Sequence, residues 1–472
     1  MIPQRWLTLQ VSPGLARRLP NQGWPLNMPA MQRCDILILP RWCIPVEPDG
    51  ATLTDRAVAV NEGRILEVLS AAEAKSKYRP REIVDRPNHV LIPGLVNAHT
   101  HAAMTLFRGI ADDLPLERWL TDGIWPSEKR WASAEMVRDG TRHAIAEMLR
   151  SGVTCFSDQY FFPEVVAMTA AELHMRAMVG TPVVDFATSW AKDAAECITK
   201  GTDLVHDCFA DDPLISSCFA PHSTYTVSDA AFVELRVVAD QLDKGIQIHL
   251  HETAREVADS LRATGRRPLQ RLADLGLVNS SLLVVHAVHM NDEELGLLAE
   301  AGVSVAHCPR SNLKLASGIA NVPAMQAAGI NVALGTDSAA SNNVLDMLGE
   351  MRTAALLAKA VSANAAAMSA REVLRMATLG GARAIGLGDS IGSIEQGKWA
   401  DLACVSLQAI NSQPVYDPLS QLVYTTQPDQ VTDVWVGGRH QVDNGRLTEI
   451  NETDLLKRSL EWQQRISAKT GN

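Results

Sequence analysis

From residue 93 onward, the chain alternates short apolar segments with longer amphipathic segments. Eight apolar segments lie at residues 95–99, 153–158, 177–184, 215–221, 246–251, 282–287, 303–308 and 332–337. This alternation predicts parallel strands joined by helices. Eight such units over roughly 250 residues fit an α/β fold of the (β/α)8 TIM barrel type. An open doubly wound sheet is the alternative, but the sequence has no Gly-rich phosphate-binding turn.

Glycines just before four of the predicted strands support the same pattern. Gly152, Gly245, Gly302 and Gly329 each follow an amphipathic segment, where a helix commonly ends in a left-handed residue. We therefore expect these four glycines to terminate helices.

Both ends of the chain have β character instead. Residues 33–92 contain alternating apolar segments, a hairpin turn at residues 61–63 and no visible helical period. β character returns at residues 390–450. We expect these segments to pair into one small composite β-sandwich domain beside a barrel at 93–389. Residues 1–32 are predicted to be an N-terminal extension, and residues 451–472 a solvated C-terminal helix.

Composition excludes several classes of function. The net charge is −11 and the basic residues form no dense run, which argues against a nucleic-acid partner. No apolar stretch is long enough for a membrane span, and the first thirty residues lack the pattern of a secretory signal. The eight scattered cysteines indicate reduced thiols. We expect a cytoplasmic enzyme with a small-molecule partner, and we leave open whether it forms a homo-oligomer.

Seven of the thirteen histidines lie at the predicted carboxyl ends of strands, where barrel enzymes carry their active sites. They are His99, His101, His222, His249, His251, His286 and His307. Random core histidines would not collect on one face. His99 and His101 are two positions apart on one strand, so both imidazoles point to the same side.

Imidazoles together with one carboxylate suit a single divalent metal ion, with Zn²⁺ preferred and Fe²⁺ as the alternative. The candidate ligands are His99, His101, His249 and Asp337, although Asp337 could instead cap the next helix. Spacing does not decide between His249 and His251. If the fifth strand ends near residue 250, Glu252 can turn back over the barrel mouth, where a free carboxylate could move protons.

At this point the chain resembles the amidohydrolase superfamily. The resemblance rests on Pro93–His101, His249–Thr253, His286–His289, His307–Leu315 and Gly335–Ser338, in that order, and covers roughly residues 33 to 450. Within that superfamily, residues 104–109, 119–120 and 125–128 are similar to 5′-methylthioadenosine/S-adenosylhomocysteine deaminases.

The resemblance implies deamination of an adenine nucleoside, with a place in purine salvage. The metal would be held by His99, His101, His249 and Asp337, and the likeness thereby favours His249 over His251. Catalysis would use Glu252 as the proton shuttle, with His286 and Asp337 stabilising the adduct. Substrate would contact Glu252, Glu128 at the ribose hydroxyls, and His222. His251 and His307 would then orient the ligands by hydrogen bonds.

One departure concerns the substrate tail. Family members that accept S-adenosylhomocysteine carry arginines after the third strand, but this chain has none between Arg176 and Arg236. We therefore expect 5′-methylthioadenosine or adenosine to be preferred, with a thioether near Trp125 or Trp190. Lys192 or Lys200 could replace the missing arginine. The alternatives are a related enzyme acting on guanine-type or triazine substrates, and an inactive nucleoside-binding barrel.

Overall fold

The structure is a computed structural model that describes residues 31–468. Most of the predicted N-terminal extension and residues 469–472 therefore lie outside the described residues. The strands are β1 Gln32–Cys43, β2 Leu53–Thr54, β3 Arg56–Asn61, β4 Arg64–Ser70, β5 Tyr78–Pro93, β6 Leu95–Thr100, β7 Val153–Gln159, β8 Arg176–Val183, β9 Ile215–Pro221, β10 Ile246–Leu250, β11 Leu282–His286, β12 Ser304–His307, β13 Asn331–Leu334, β14 Leu402–Ser406, β15 Val431–Val436, β16 Arg439–Asp443 and β17 Arg446–Leu447.

The helices lie mainly between the barrel strands. They are α1 Ala71–Lys77, α2 Leu116–Arg118, α3 Trp125–Trp131, α4 Ala134–Arg150, α5 Pro163–Glu172, α6 Ala194–Gly201, α7 Asp229–Leu242, α8 Ala254–Thr264, α9 Pro268–Asp274, α10 Asp292–Ala301, α11 Pro309–Lys314, α12 Val322–Ala327, α13 Met347–Ser362, α14 Ala370–Arg375, α15 Gly381–Ala384, α16 Pro418–Tyr424 and α17 Glu452–Ser467. Within the described range 31–468, none of the helices combines the length and apolar character that crossing a membrane requires.

Strands β6 to β13 form an eight-stranded parallel sheet in which each strand pairs with the next along the chain. The predicted (β/α)8 barrel is confirmed. Three of the four predicted helix-ending glycines have positive φ, but Gly245 does not. Asp243 takes the left-handed position at the end of α7 instead, at φ +52°. Aspartate tolerates this conformation, so the glycine prediction was wrong there.

The seam between β6 and β13 closes the barrel. Asp337 donates its backbone N–H to the carbonyl of His99 at 3.0 Å. The Asn97 side chain accepts the Thr336 N–H at 2.9 Å and donates to the Thr336 hydroxyl at 2.7 Å. A Cβ at Gly335 would lie 2.9 Å from backbone atoms of His99, so only glycine permits this close approach. The seam thus brings the first and last barrel strands together where His99 and Asp337 emerge.

Both chain ends build a second sheet of nine strands, as expected for the composite β domain. Its order is β17-β16-β15-β14-β5-β1-β3-β4, with β2 beside β1, and β5 pairs antiparallel with β14. The sheet folds over, because Ala400 before β14 donates its N–H to the carbonyl of Gly63 in the β3–β4 turn at 2.8 Å. Ile38 and Val58 share one buried core with Leu402 and Trp435. The domain limits of 33–92 with 390–450, and of 93–389, stay a prediction.

The two sheets are joined almost directly. Gly94 alone separates β5 from β6, and its N–H donates to the carbonyl of Asp401 at 2.8 Å. Arg176, at the start of β8, donates to both carboxylate oxygens of Asp401 at 2.8 and 3.0 Å. Both side chains are buried. A paired and hydrogen-bonded charge therefore holds the composite sheet against the amino-terminal end of the barrel.

Two terminal-region expectations were wrong. Residues 71–77 form α1, with a capping box between Ser70 and Glu73 that marked the helix start. The C-terminal helix α17 is not fully solvated, because Trp462 is only 3% exposed and donates to Asp139 of α4 at 2.8 Å. Arg458 also donates to Asp139, at 2.6 Å, so α17 is docked on the barrel.

The seam generates a prediction about stability. Asn97→Ala removes both hydrogen bonds to Thr336 and leaves buried polar atoms unpaired, so the free energy of unfolding should fall by about 2–4 kcal/mol. Urea unfolding followed by tryptophan fluorescence measures this. Asn88→Ala is the control, since the Asn88 side chain makes no hydrogen bond within the described part of the chain; its effect should stay within about 0.5 kcal/mol. Equal urea midpoints for the two variants would contradict the role of the seam.

Candidate active site

Four side chains converge at the carboxyl end of the barrel. His99 and His101 come from β6 and its end, His249 lies within β10, and Asp337 follows β13. One ligand atom from each lies within 4.8 Å of all the others. His249 Nε2 is 3.1 Å from His99 Nε2, and His101 Nε2 is 3.2 Å from Asp337 Oδ1. The structure therefore brings together all four residues that the sequence predicts as metal ligands, which we call the metal group.

The outer nitrogens of the three rings are held by acceptor oxygens. His101 Nδ1 faces the carbonyl of Gln159 at 2.5 Å, and His249 Nδ1 faces that of His222 at 2.8 Å. His99 Nδ1 lies 3.5 Å from the side-chain oxygen of Gln247. A carbonyl oxygen only accepts, so each Nδ1 carries the proton and each Nε2 presents a lone pair inward. Lone pairs 3.1 Å apart repel each other unless a cation lies between them, so this donor set fits a metal ion.

Electrostatics support the same fit. Burial lowers the pKa of His99 to about 4 and holds the pKa of His249 well below its usual value, which keeps both imidazoles neutral. Burial alone would lower the pKa of His101, yet its contacts with Asp337 raise that pKa to about 9. Burial also opposes ionisation of Asp337, but hydrogen bonds from His101 and His99 outweigh it and hold its pKa well below the usual value. The group therefore favours a positive charge beside the Asp337 carboxylate.

Two serines hold the other oxygen of Asp337. Ser311 donates to Asp337 Oδ2 at 2.5 Å and Ser341 at 2.8 Å. Asp337 itself has φ +57°, so the chain leaves β13 in a left-handed conformation that turns the carboxylate inward. Sequence reasoning missed these serines. Ser311 lies within the motif His307–Leu315, but nothing in the sequence pattern indicates which residue its hydroxyl contacts.

The strand end at β10 separates the roles of His249 and His251. β10 ends at Leu250, and His251 has φ +55°. The His251 ring accepts the Leu269 N–H at 3.1 Å and faces the His289 carbonyl at 3.2 Å, away from the metal group. His307 is buried, and its Nδ1 has no hydrogen-bond partner within the described residues. Neither His251 nor His307 touches a candidate ligand by a hydrogen bond, contrary to expectation.

Glu252 and His286 face each other beside the metal group. Glu252 Oε2 lies 3.8 Å from His286 Nε2, and Glu252 Oε1 accepts from Ser317 at 3.2 Å. Burial raises the pKa of Glu252, while the neighbouring His286 opposes that rise. Asn312 Oδ1 lies 2.8 Å from His286 Nδ1, which leaves Nε2 directed at the site. A carboxyl group with a raised pKa is suited to both accepting and returning a proton.

A cavity of about 710 Å³ lies over these residues. Its wall includes His101, His222, His249, Glu252, His286 and Asp337 from strand ends, and Met104, Trp119, Trp125, Glu128, Tyr160, Phe161 and Phe186 from the surrounding segments. Glu128 projects from α3, and burial raises its pKa to about 7. Burial lowers the pKa of His222 to about 4, so its ring is neutral.

The side chains that the sequence predicted near the substrate tail do not all line the cavity. Trp125 lines the cavity, but Trp190 does not; it is buried and donates its indole N–H to Glu164 at 3.1 Å. Lys200 donates to the carbonyl of Trp190 and pairs with Glu196. Among the described residues that line the cavity there is no arginine, and Lys129 is the one lysine. The expectation that Lys192 or Lys200 could take the place of an arginine is therefore not supported by their positions.

Comparisons with known proteins agree with this geometry. A protein named 5-methylthioadenosine/S-adenosylhomocysteine deaminase from Teredinibacter turnerae is 46% identical over 91% of this chain and 97% of its own length. A 5′-deoxyadenosine deaminase from Methanopyrus kandleri is 40% identical over 80% of this chain and 87% of its own length.

The solved structure of an adenosine deaminase from Xanthomonas campestris with bound zinc is similar throughout. Its TM-score is 0.92 at 51% identity, and the match covers 93% of this chain and 100% of that chain. The model of the amidohydrolase family matches residues 90–440, which include every candidate site residue. Fold, site geometry and sequence similarity agree, and the chain belongs to the amidohydrolase family.

Proposed function

We propose that this protein is a metal-dependent deaminase that hydrolyses the 6-amino group of an adenine nucleoside and releases ammonia. The observation that carries the proposal is the Glu252 carboxyl group beside the His99–His101–His249–Asp337 group at the base of a nucleoside-sized cavity. The names of the relatives point to the same class of substrate. A binding protein would have no need of a buried proton acceptor next to a metal group.

The metal is proposed to be a single Zn²⁺ ion, with Fe²⁺ as the alternative, and zinc in the similar Xanthomonas campestris structure supports the first choice. A bound divalent cation would supply Lewis acidity, which makes a water proton easier to remove. Glu252 then accepts a proton from the attacking water and returns it to a ring nitrogen, which makes C6 more electrophilic.

The other side chains orient the reactants. We assign His286 Nε2, which lies 3.8 Å from Glu252, to a hydrogen bond with the oxygen that adds to C6, and we assign Asp337 to stabilising the same adduct. Glu128 is assigned to the ribose hydroxyls and His222 to a contact with the nucleoside, since both line the cavity. One C–O bond forms and one C–N bond breaks: the first water proton stays on the ring nitrogen, and the second passes from the added hydroxyl group to the amino group, which leaves as ammonia. The product is the corresponding inosine derivative.

We also propose a cytoplasmic location and a place in purine salvage. All eight cysteines are unpaired in the structure, and all but Cys208 are buried, which suits a reducing compartment. The function itself is tested by measuring ammonia release from 5′-substituted adenosines, guanine and a chlorotriazine. Release from adenosines alone is expected, while release from guanine or loss of chloride from the triazine would favour the alternative chemistries.

The metal ligands generate a prediction about metal content. Replacing His99, His101, His249 or Asp337 by alanine should lower bound metal by at least about tenfold, because even loss of an outer hydrogen bond to a ligand has an effect of that size. Atomic emission after dialysis measures the metal, and circular dichroism checks the fold. His143→Ala is the control, since His143 lies on α4 and bonds to Ser459. A ligand variant with full metal content and rate would remove that residue from the assignment.

The Glu252 carboxyl group is tested by Glu252→Gln. The substitution keeps the shape but removes the proton acceptor, so kcat should fall by about 10²-fold or more while metal stays bound. Steady-state ammonia release and metal analysis measure both properties. Glu372→Gln, at an exposed position on α14, should leave both unchanged. An unchanged kcat in Glu252→Gln would transfer the role to His286.

The cavity wall predicts a substrate preference. A homocysteine tail carries two charges that lose hydration on binding, and among the described residues that line the cavity Lys129 is the one lysine and no arginine is present. A methylthio group can instead contact apolar and aromatic side chains such as Trp125. We expect kcat/KM for 5′-methylthioadenosine or adenosine to exceed that for S-adenosylhomocysteine at least about tenfold, or about 1.4 kcal/mol.

A competition assay with both substrates measures this preference. The name of the Teredinibacter turnerae relative includes both compounds. The predicted preference is therefore argued from the cavity wall and not from that name. Equal or faster turnover of S-adenosylhomocysteine would contradict it and identify Lys129 as the partner of the tail carboxylate. Lys129→Met would then slow that substrate selectively.

A further inference from the structure

Glu256, on the first turn of α8, contacts the backbone that carries Glu252. Its Oε1 accepts the N–H of His251 at 3.1 Å, and its Oε2 accepts the N–H of Glu252 at 2.8 Å. Its own N–H donates to the hydroxyl of Thr253, the residue that caps α8, at 3.1 Å. Glu256 does not line the cavity. One carboxylate therefore holds two successive amides without touching the reaction site.

These two amides need such a partner because the sheet ends before them. β10 stops at Leu250, and His251 turns out of the strand at φ +55°, a conformation that is unfavourable for a residue with a side chain. The ladder to β11 therefore no longer supplies acceptors for the N–H groups of His251 and Glu252. A carboxylate is the one side-chain group that can accept from both at once with charge-assisted bonds.

The other atoms of this turn are also fixed. The His251 ring is held between Leu269 N–H and the His289 carbonyl, on the side away from the cavity. With His251 turned outward, the next side chain, Glu252, faces inward and receives the Ser317 hydroxyl at 3.2 Å. Glu252 is thus restrained at its carboxyl group by Ser317 and at its backbone by Glu256.

We infer that Glu256 is a positioning residue for the reaction, and that it acts by holding Glu252 where its carboxyl group can exchange protons with water and substrate. This inference rests on the proposed function, in which Glu252 is the proton shuttle. A displacement of about 1 Å at such a group is enough to slow a proton transfer substantially, because the group must stay within hydrogen-bond reach of both partners.

The test is Glu256→Gln in the metal-loaded full-length protein. The amide side chain offers a single acceptor oxygen, and its NH2 group faces an N–H, so one of the two backbone amides loses its partner. We expect kcat for 5′-methylthioadenosine or adenosine to fall about tenfold or more, with KM changed less than about threefold and metal content unchanged. The matched control is Glu372→Gln, because Glu372 occupies the same third position in the capping box of α14, outside the cavity wall.

A double-mutant cycle distinguishes positioning from general destabilisation. If Glu256 acts through Glu252, adding Glu256→Gln to Glu252→Gln should change the residual kcat by less than about twofold. A multiplicative loss in the double variant would overturn the inference, as would a full kcat in Glu256→Gln. Loss of bound metal from Glu256→Gln would also overturn it, because the residue would then support the ligands instead of Glu252.

Amide hydrogen exchange in the wild-type protein supplies a readout that needs neither activity nor a folded variant. The amides of His251 and Glu252 should be protected like those of β10, and exchange at the rate of an open loop would overturn the inference. If the wild-type protein released no ammonia from any adenosine, the proposed function would fail. Protected amides would then still establish the contacts of Glu256, so the two failures are distinguishable.

Discussion

The hydrogen bonds that join β6 to β13 are the constraint on which the active site depends. The candidate metal ligands come from the first, fifth and last barrel strands, and only closure of the barrel places His99 and His101 beside Asp337. The seam is short, and the Asn97 side chain supplies two of its bonds to Thr336. Since Asp337 donates its backbone N–H to the carbonyl of His99, one hydrogen bond links two candidate ligand residues directly. Barrel closure and site assembly are therefore the same structural event.

Left-handed backbone conformations surround this site. His251, His286 and Asp337 all have positive φ at the ends of their strands, which is uncommon for residues with side chains. Each such residue costs of the order of 1–3 kcal/mol. Side-chain hydrogen bonds to neighbouring segments offset this cost: Ser311 and Ser341 at Asp337, and Asn312 at His286. The turns at His286 and Asp337 direct their own side chains toward the cavity, and the turn at His251 does so for the next side chain, Glu252.

The alternation of apolar and amphipathic segments was sufficient to predict the barrel, and the two-residue spacing of His99 and His101 to predict a shared ligand direction. Spacing could not decide between His249 and His251, because the answer depends on where β10 ends. The strand ends at Leu250, and residues distant from the pattern, such as Leu269, fix the turn.

Other errors have similar physical causes. Trp190, Lys192 and Lys200 follow β8 in sequence, yet none of them lines the cavity, because the direction of a loop is set by packing against α5 and not by proximity to a strand. The polar pattern of α17 concealed Trp462, which is buried and donates its indole N–H to Asp139 of α4. The start of α1, in contrast, could have been predicted from the sequence, because Ser70 and Glu73 form a capping box. Side chains that contact partners far along the chain were the part that sequence alone could not assign.

The passage from β5 into β6 through Gly94 has a consequence for the order of folding. β5 pairs with β14, so the strand that continues into the ligand-bearing β6 is secured by residues more than 300 positions later in the chain. Contacts of such high sequence separation form late, because they require closure of a very long loop. During synthesis, a ribosome-bound chain can present all eight barrel strands before β14 emerges, but β5 then still lacks that neighbour. The join between the barrel and the composite sheet is accordingly completed only after β14 has been synthesised, whereas the four candidate metal ligands all precede β14 in the chain.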